Sequence, residues 1–287
     1  MTDDIRQRAI LLYDRFTHDG MERRAFIAEM AKLTGSVAAA ELLITGIAAS
    51  PAAAAAIVPA DDPRLTTRTQ TLANGYKAYV AEPRTRSLKP TVLVIHENRG
   101  LNDHIRDVAR RLALADFRAV APDFLSPSGG TPLNEDAARE AIGKLELGKS
   151  VSDAVAILGE LGKSSRGGKV GAVGFCWGGG FVNRLAVADG NALGAGVAYY
   201  GPAPDAAEAT RVQAPLLIHD AGLDQRVNAT SFPWVTALRN AGKTVRFYLY
   251  DGVNHAFNND TSAERYNKAA ADLSWQRTLR FLHQKLG

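Results

Sequence analysis

Short apolar runs alternate with helical patterns through most of this 287-residue chain, and that alternation limits the folds open to it. The run at 91–95 reads TVLVI, which is typical of a strand buried on both faces of a parallel sheet. The stretch that follows it, 103–115, places apolar residues on one helical face. Because strand and helix keep this order along the chain, we predict βαβ units with right-handed crossovers and a sheet covered on both faces.

The remaining elements repeat the pattern. No internal repeat and no second boundary interrupts residues 60–287, so we predict a single α/β domain with a mostly parallel sheet there. The predicted strands are 75–81, 91–95, 117–122, 170–175, 194–200, 215–219 and 245–250. The predicted helices are 103–115, 134–147, 151–161, 178–189, 230–240 and 262–286.

The composition excludes several classes of protein. With 46% hydrophobic and 22% charged residues, the chain is not wholly disordered, collagen-like or a coiled coil. Its one cysteine, Cys176, excludes an intramolecular disulfide and any metal site built from several cysteines. The net charge is only +4, and the densest basic stretch, 163–169, contains no aromatic residue. That stretch indicates a solvated loop, so we expect no nucleic-acid partner.

Residues 1–59 form an N-terminal extension that differs from the rest of the chain. Residues 1–22 are polar and predict a short amphipathic helix. Arg23 and Arg24 then precede a segment that is apolar over 33–49 apart from one glutamate. This layout is typical of a twin-arginine export signal, which predicts a periplasmic protein.

An alanine run over 52–56 completes the signal-like layout and predicts cleavage near 53–60. The alternative is an alanine-rich helical segment that packs on the domain of a cytoplasmic protein. In either case the apolar stretch is too short and too polar to be a stable membrane span.

The segment 174–180 reads GFCWGGG and lies between a predicted strand and a predicted helix. A nucleophile held on such a sharp turn has strained dihedral angles, and glycines two residues before and after leave room for it. Cys176 stands where serine is usual, and the N-terminus of the following helix favours its thiolate. The alternative is that Cys176 is a small core residue.

A thiolate nucleophile needs a base, and the base needs an orienting group. His255 follows the last predicted strand, in the segment DGVNHAF, and Asp224 follows the strand 215–219. The order Cys176, Asp224, His255 is the order of nucleophile, acid and base in α/β-hydrolases. Taken singly, Asp224 could be a turn residue and His255 a loop histidine.

An oxyanion hole requires two backbone N–H groups near the nucleophile. The first is predicted to belong to Trp177, directly after the cysteine. The second is predicted in the loop 96–100, HENRG, and we assign it to Asn98.

The same loop carries Glu97, which is predicted to lie near Cys176. There its carboxylate can take the thiol proton or tune the resting state of the thiol. The alternative is a loop carboxylate paired with Arg99 or Arg106.

The other five histidines lack the chain order of a catalytic base. We expect His96 and His219 to be packing or lining residues, because both lie near strand ends. We expect His18, His104 and His283 to be solvated.

Together, the cysteine elbow, the His-Glu loop, the Gly-x-x-Asp and the Asn-His-Ala-Phe resemble the dienelactone hydrolases, or carboxymethylenebutenolidases, of the α/β-hydrolase superfamily. The resemblance covers about residues 64–287. It implies an α/β-hydrolase fold and the following site: a triad of Cys176, His255 and Asp224, Glu97 assisting thiol ionisation, and the amides of Asn98 and Trp177 binding the oxyanion.

The implied reaction is attack of Cys176 on a lactone or ester carbonyl, followed by hydrolysis of the thioester by a water that His255 activates. The family's substrate, 4-carboxymethylenebut-2-en-4-olide, carries a carboxylate that needs nearby cations. Here no arginine closely follows the histidine, the next one being Arg265, and Arg99 is the candidate substrate-binding cation.

We therefore predict a cysteine-dependent hydrolase of a small ester or lactone. The alternatives are an acyl esterase or thioesterase on the same scaffold, and a non-catalytic binding protein with this fold. No phosphate-binding loop and no metal-ligand spacing is present in the sequence, so we expect no cofactor and no metal. The sequence indicates no oligomeric state.

Overall fold

The computed structural model describes residues 2–48, 56–85 and 87–287. Within them, eight strands form one sheet in the order β1-β2-β4-β3-β5-β6-β7-β8. The strands are β1 (Leu65–Thr71), β2 (Lys77–Pro83), β3 (Thr91–Ile95), β4 (Arg118–Pro122), β5 (Val170–Phe175), β6 (Leu193–Tyr199), β7 (Leu216–Ala221) and β8 (Val245–Tyr250).

Helices connect and flank these strands. Three of them precede the sheet: α1 (Asp3–His18), α2 (Arg23–Thr34) and α3 (Val37–Ile47). The others are α4 (Asp103–Leu114), α5 (Glu135–Gly143), α6 (Leu147–Gly162), α7 (Trp177–Ala188), α8 (Gln225–Asn240) and α9 (Lys268–Leu286).

The six neighbouring strands from β4 to β8 in this spatial order, which include β3, are parallel, as predicted. The sheet is antiparallel only at one edge, where β2 pairs with β1 and β4. Strand β1 was not expected, because its sequence, LTTRTQT, has one buried residue and otherwise polar side chains. An edge strand of this kind is held by its ladder to β2 rather than by burial. The predicted α/β class is confirmed.

Two apolar layers cover the two faces of the sheet, and alternate residues of β3 pack into one layer or the other. Val92 and Val94 face the layer that contains α4 and α9. Leu93 and Ile95 face the layer that contains α6, α7 and α8. All five residues of β3 are buried, because both faces of this central strand are covered.

The first three helices pack on one another around a separate apolar cluster, and we call them the N-terminal cap (residues 3–47). The rings of Phe16 and Phe26 stack with centroids 4.3 Å apart, and Met30 and Ile47 are fully buried beside them. Polar contacts attach the cap to the domain: Arg6 Nε to Glu264 Oε2 at 2.8 Å, Gln7 Nε2 to Asn254 Oδ1 at 2.8 Å, Arg139 Nη1 to the Phe16 carbonyl at 3.2 Å, and Ser262 Oγ to the Ile47 carbonyl at 2.6 Å.

The paired arginines begin α2, where Arg23 forms an ion pair with Asp136 of α5 and Arg24 is exposed. Residues 49–55, which hold most of the alanine run and part of the predicted cleavage region 53–60, lie outside the described residues. Export and cleavage therefore stay predictions, as does the boundary between 1–59 and 60–287.

In the described parts of the chain, no single helix is long and apolar enough to cross a membrane. By length and composition, α2 and α3 together meet that requirement as a pair bent by 107°.

The close contact between the start of α7 and strand β3 provides a test of the fold. A Cβ added at Gly178 would lie 2.3 Å from the carbonyl oxygen of Ile95, a backbone atom that cannot move cheaply. We expect Gly178→Ala to lower the free energy of unfolding by about 3 kcal/mol in urea titrations. The control, Gly159→Ala in α6, has no neighbour within 4 Å of the added carbon. It should gain roughly 0.5–1 kcal/mol from helix propensity. Equal stability of the Gly178 variant and the wild type would contradict this packing argument.

Candidate active site

The turn between β5 and α7 holds Cys176 in a strained conformation. Its φ is 54° and its ψ is −113°, which a side-chain-bearing residue rarely adopts. The flanking glycines make the turn possible, because a Cβ at Gly174 would lie 2.0 Å from the carbonyl oxygen of Gly178. Cys176 is only 5% exposed and stands at the carboxyl edge of the sheet, at the N-terminus of α7. The predicted sharp turn between strand and helix, with its flanking glycines, is present in the geometry, and the role of Cys176 as a nucleophile stays a prediction.

Asp224 and His255 meet at the same edge of the sheet. Asp224 follows β7 and caps α8, with Oδ1 accepting a hydrogen bond from the backbone N–H of Val227 at 3.1 Å. Its other oxygen, Oδ2, lies 2.5 Å from His255 Nδ1. Both side chains are buried, and this carboxylate fixes the tautomer and orientation of the imidazole.

The other ring nitrogen of His255 points toward Cys176. His255 Nε2 is buried and makes no hydrogen bond with the described residues. The ligand atoms of His255, Cys176 and His18 all lie within 4.8 Å of one another. Such a separation is loose for a hydrogen bond, as is common in sites without substrate.

Charge decides the protonation of the histidine. Burial lowers the pKa of His255, but the charges of Cys176 and Asp224 outweigh burial and raise that pKa to about 10. Burial likewise raises the pKa of Asp224, and the charge of His255 overrides it and lowers that pKa below its ordinary value. The arrangement therefore favours an imidazolium at His255, backed by an ionised carboxylate at Asp224.

Glu97 lies in the loop after β3 and is buried. Its Oε2 accepts a hydrogen bond from Asn259 Nδ2 at 2.7 Å. The hydroxyl of Tyr200 is buried without a hydrogen-bond partner in the described residues. Burial, and then the charges of Glu97 and Cys176, hold the pKa of that hydroxyl well above its usual range. Glu97, Tyr200 and Cys176 are thus electrostatic neighbours.

The two residues assigned to the oxyanion hole are also at this site. Trp177 is the first residue of α7, so its backbone N–H has no acceptor within the helix. Its ring stacks on His96, with centroids 5.3 Å apart. Asn98 lines the small cavity beside Cys176.

Arg99, the candidate substrate-binding cation, contacts the cap. Its guanidinium forms an ion pair with Glu135 and donates a hydrogen bond to the Tyr13 hydroxyl. Arg265 also lies near Tyr13, with its guanidinium carbon 5.2 Å from the ring centroid. Arg99 and Arg265 both line the cavity beside Cys176, so two cations border it.

The N-terminal cap closes the site. The cavity beside Cys176 has a volume of about 20 Å³, and Tyr13, Thr17 and His18 of α1 form one wall of it. A space of this size holds about one water molecule. A substrate can therefore reach the thiol only when α1 moves.

The expectation that His18 and His104 are solvated is wrong. His18 Nε2 lies 3.9 Å from Cys176 Sγ, and its ring centroid is 5.0 Å from that of His255. Burial, and then the charge of His255, hold the pKa of His18 well below its ordinary value. His104 is buried against Asp260 at 3.0 Å. His283 is exposed, as expected.

Sequence reasoning also missed Tyr13, Tyr200 and Arg265. Tyr200 directly follows β6, so the rule that function lies at the carboxyl ends of strands could have identified it. Tyr13 and Arg265 had no such signal, because they come from the N-terminal extension and from the loop after His255.

Comparison with known proteins identifies chains of similar sequence and fold. Residues 76–286 match the model of the dienelactone hydrolase family. A Methylorubrum extorquens protein named as a carboxymethylenebutenolidase is 35% identical over 217 residues, covering 70% of this chain and 74% of its own. One from Escherichia coli O157:H7 with the same name is 32% identical over 256 residues, covering 83% and 93%. A crystal structure from Klebsiella pneumoniae, also named for dienelactone hydrolase, superposes with a TM-score of 0.68 at 26% identity, covering 77% and 99%.

The closed cavity leads to an expectation about thiol accessibility. Tyr13→Ala removes a buried ring from the cap, and such truncations cost about 3–5 kcal/mol. Since each 1.4 kcal/mol is about a tenfold change, we expect iodoacetamide to alkylate Cys176 at least about tenfold faster in this variant.

Leu11→Ala is the matched control, because Leu11 lies on the same helix and is 43% exposed. Its labelling rate should stay within about twofold of the wild type. Mass spectrometry of the intact protein over time gives both rates. An unchanged rate for Tyr13→Ala would mean that the cap does not limit access to the thiol.

Proposed function

Because the chain belongs to the dienelactone hydrolase family, we propose that it hydrolyses small lactones or carboxylic esters with Cys176 as the nucleophile. The observation that carries the proposal is the buried Asp224–His255 pair beside a cysteine on a strained elbow. A core cysteine has no need of that backbone strain or of an oriented imidazole.

The first half of the proposed reaction forms a thioester. The thiolate of Cys176 attacks the carbonyl carbon, and the amides of Trp177 and Asn98 stabilise the oxyanion. The carbon–oxygen bond of the ester then breaks, and the leaving oxygen takes the proton from His255 Nε2. In a lactone the leaving oxygen stays attached to the acyl group, so no fragment departs at this stage.

The second half returns the enzyme to its starting state. His255, now neutral, takes a proton from water as the oxygen of that water attacks the thioester carbonyl. The carbon–sulfur bond breaks, and the product is a carboxylic acid with the thiolate restored beside the imidazolium. Asp224 keeps the imidazole oriented in both halves.

Glu97 is proposed to act before the first attack. When Cys176 rests as the neutral thiol, the buried carboxylate of Glu97 can accept the thiol proton as substrate displaces the contacts around Cys176. It can return that proton to the thiolate after the thioester is hydrolysed. The hydrogen bond from Asn259 keeps this carboxylate in place. Its role would then be to raise the fraction of reactive thiolate rather than to touch the carbonyl.

The cations at the border of the cavity favour an anionic substrate. Arg99 and Arg265 line the same space as Cys176, and together they could neutralise a carboxylate on the substrate. The two alternatives, an acyl esterase or thioesterase and a non-catalytic binding protein, are outcomes of the test below.

The test compares hydrolysis of p-nitrophenyl acetate, dienelactone and other small lactones, and an acyl thioester by the full-length chain. We expect Cys176→Ala and His255→Gln each to lower kcat/KM by at least about 10³-fold on the preferred substrate, because triad members act as a unit. The control His283→Gln changes an exposed histidine and should retain activity.

The panel also separates the alternatives. A preference for the lactones supports the main proposal, and a preference for the thioester supports the thioesterase. Activity that survives in both triad variants would show that the triad is assigned wrongly. A wild type inert toward every substrate would favour the binding protein.

A second variant tests Glu97 alone. Glu97→Gln keeps an oxygen that accepts the bond from Asn259 but removes the base, so we expect kcat/KM to fall about 100-fold. Alkylation of Cys176 by iodoacetamide should slow in parallel, and its pH profile should shift to higher pH. The matched control is Glu140→Gln, at an exposed position of α5. An unchanged pH profile of Cys176 alkylation in Glu97→Gln would show that Glu97 has only a structural role.

A further inference from the structure

Three potential metal ligands from distant parts of the chain converge at the closed site. His18 ends α1, Cys176 occupies the elbow, and His255 follows β8. One ligand atom from each lies within 4.8 Å of the others, and His18 Nε2 is 3.9 Å from Cys176 Sγ. We propose that these residues bind a soft divalent cation such as Zn²⁺, and that the bound ion blocks the nucleophile.

The geometry is close to that of a tetrahedral zinc site. Zinc–sulfur bonds of about 2.3 Å and zinc–nitrogen bonds of about 2.0–2.1 Å place neighbouring ligand atoms about 3.4–3.6 Å apart. The observed 3.9 Å between His18 Nε2 and Cys176 Sγ requires a shift of a few tenths of an ångström. A pair as wide as the 4.8 Å limit of the group requires a shift of about 1.2–1.4 Å. One thiolate and two imidazoles form a set of ligands that binds zinc in preference to magnesium or calcium.

The surroundings of His255 support the site independently. Its Nε2 is buried without a hydrogen-bond partner in the described residues and faces the group, while Nδ1 is held by Asp224 at 2.5 Å. A carboxylate behind a ligating imidazole is the usual outer-shell partner in zinc sites, where it fixes the ring and raises its basicity. The same Asp224 therefore prepares His255 for both catalysis and metal binding.

The cavity leaves room for the ion. A volume of about 20 Å³ accommodates one water-sized group beside the three side chains. The ion would replace the proton on His255 Nε2 and occupy the sulfur lone pair that attacks the carbonyl. Metal binding and ester hydrolysis therefore exclude each other, and a chelator should reverse the block.

His18 makes this site dependent on the cap. Without His18 only two protein ligands remain, and two ligands do not hold zinc tightly. The bound ion would also tie α1 to the elbow and keep the cavity closed. This coupling is absent from a site made by the triad alone.

Cobalt(II) provides a direct test on the full-length protein, because a cobalt–thiolate bond gives a charge-transfer band in the near ultraviolet. We expect one Co²⁺ per chain, with this band and with visible bands typical of tetrahedral coordination, and displacement by one equivalent of Zn²⁺. Cys176→Ala should lose the charge-transfer band. His18→Gln should weaken Zn²⁺ binding by more than the roughly 10- to 100-fold that loss of an outer-shell partner costs. The control His283→Gln should bind as the wild type does.

Two results would overturn the proposal. One is a wild type that shows no thiolate band with Co²⁺ at millimolar concentration, and the other is unchanged Zn²⁺ affinity in His18→Gln. Circular dichroism checks that the variants are folded. The Co²⁺ absorption spectrum of the wild type tests for the metal site even if a variant does not fold. Only the expected inhibition rests on the proposed function, so binding without inhibition would count against hydrolysis by Cys176 and leave the metal site standing.

Discussion

The close packing of the elbow glycines against the sheet is the constraint on which the rest of the structure depends. Gly178 lies against the carbonyl of Ile95 on one side, and Gly179 lies against the carbonyl of Tyr199 on the other. With no side chain at these positions, α7 begins directly above β3 and β6. That approach forces the positive φ of Cys176 and lifts its thiol out of the sheet edge.

The partners of the thiol reach it because the central strands are parallel. Their carboxyl ends lie at one edge, so the residues after β3, β6, β7 and β8 surround the elbow. Burial then sets the electrostatics, since charges in a site nearly without water interact strongly. Burial lowers the pKa of His255, but the charges of Cys176 and Asp224 outweigh it and raise that pKa. Burial raises the pKa of Asp224, but the charge of His255 overrides it and lowers that pKa. The protonation pattern of the site is thus a property of the whole group.

The N-terminal cap changes what this edge of the sheet can do. In an open site the thiol would meet solvent, whereas here Tyr13 and His18 leave space for about one water molecule. The cap therefore decides which molecules reach the thiol, and its movement is part of any turnover. It also adds an imidazole that is absent from the triad, which gives the same side chains a second use as metal ligands.

The sequence by itself determined the elements and residues whose signals are local. The strands 91–95, 170–175 and 245–250 match the structure to the residue. Continuous apolar runs mark the first two, whereas Arg246 interrupts the apolar and aromatic residues of the third. The position of Cys176 on a sharp turn was also predicted from local sequence, since such a turn needs glycines at fixed spacing in one short segment.

Elements held by distant partners were identified poorly. The edge strand β1 is held by pairing with β2. The last helix begins at Lys268 rather than at residue 262. The residues before this helix form a loop, in which Asn259 holds Glu97 through a hydrogen bond.

Only the tertiary structure decided that the cap closes the site and that His18 stands beside Cys176. The amphipathic pattern of α1 shows that one of its faces is buried but not against what. A contact between residues 158 positions apart depends on how whole elements pack, and a single sequence carries no local signal for it.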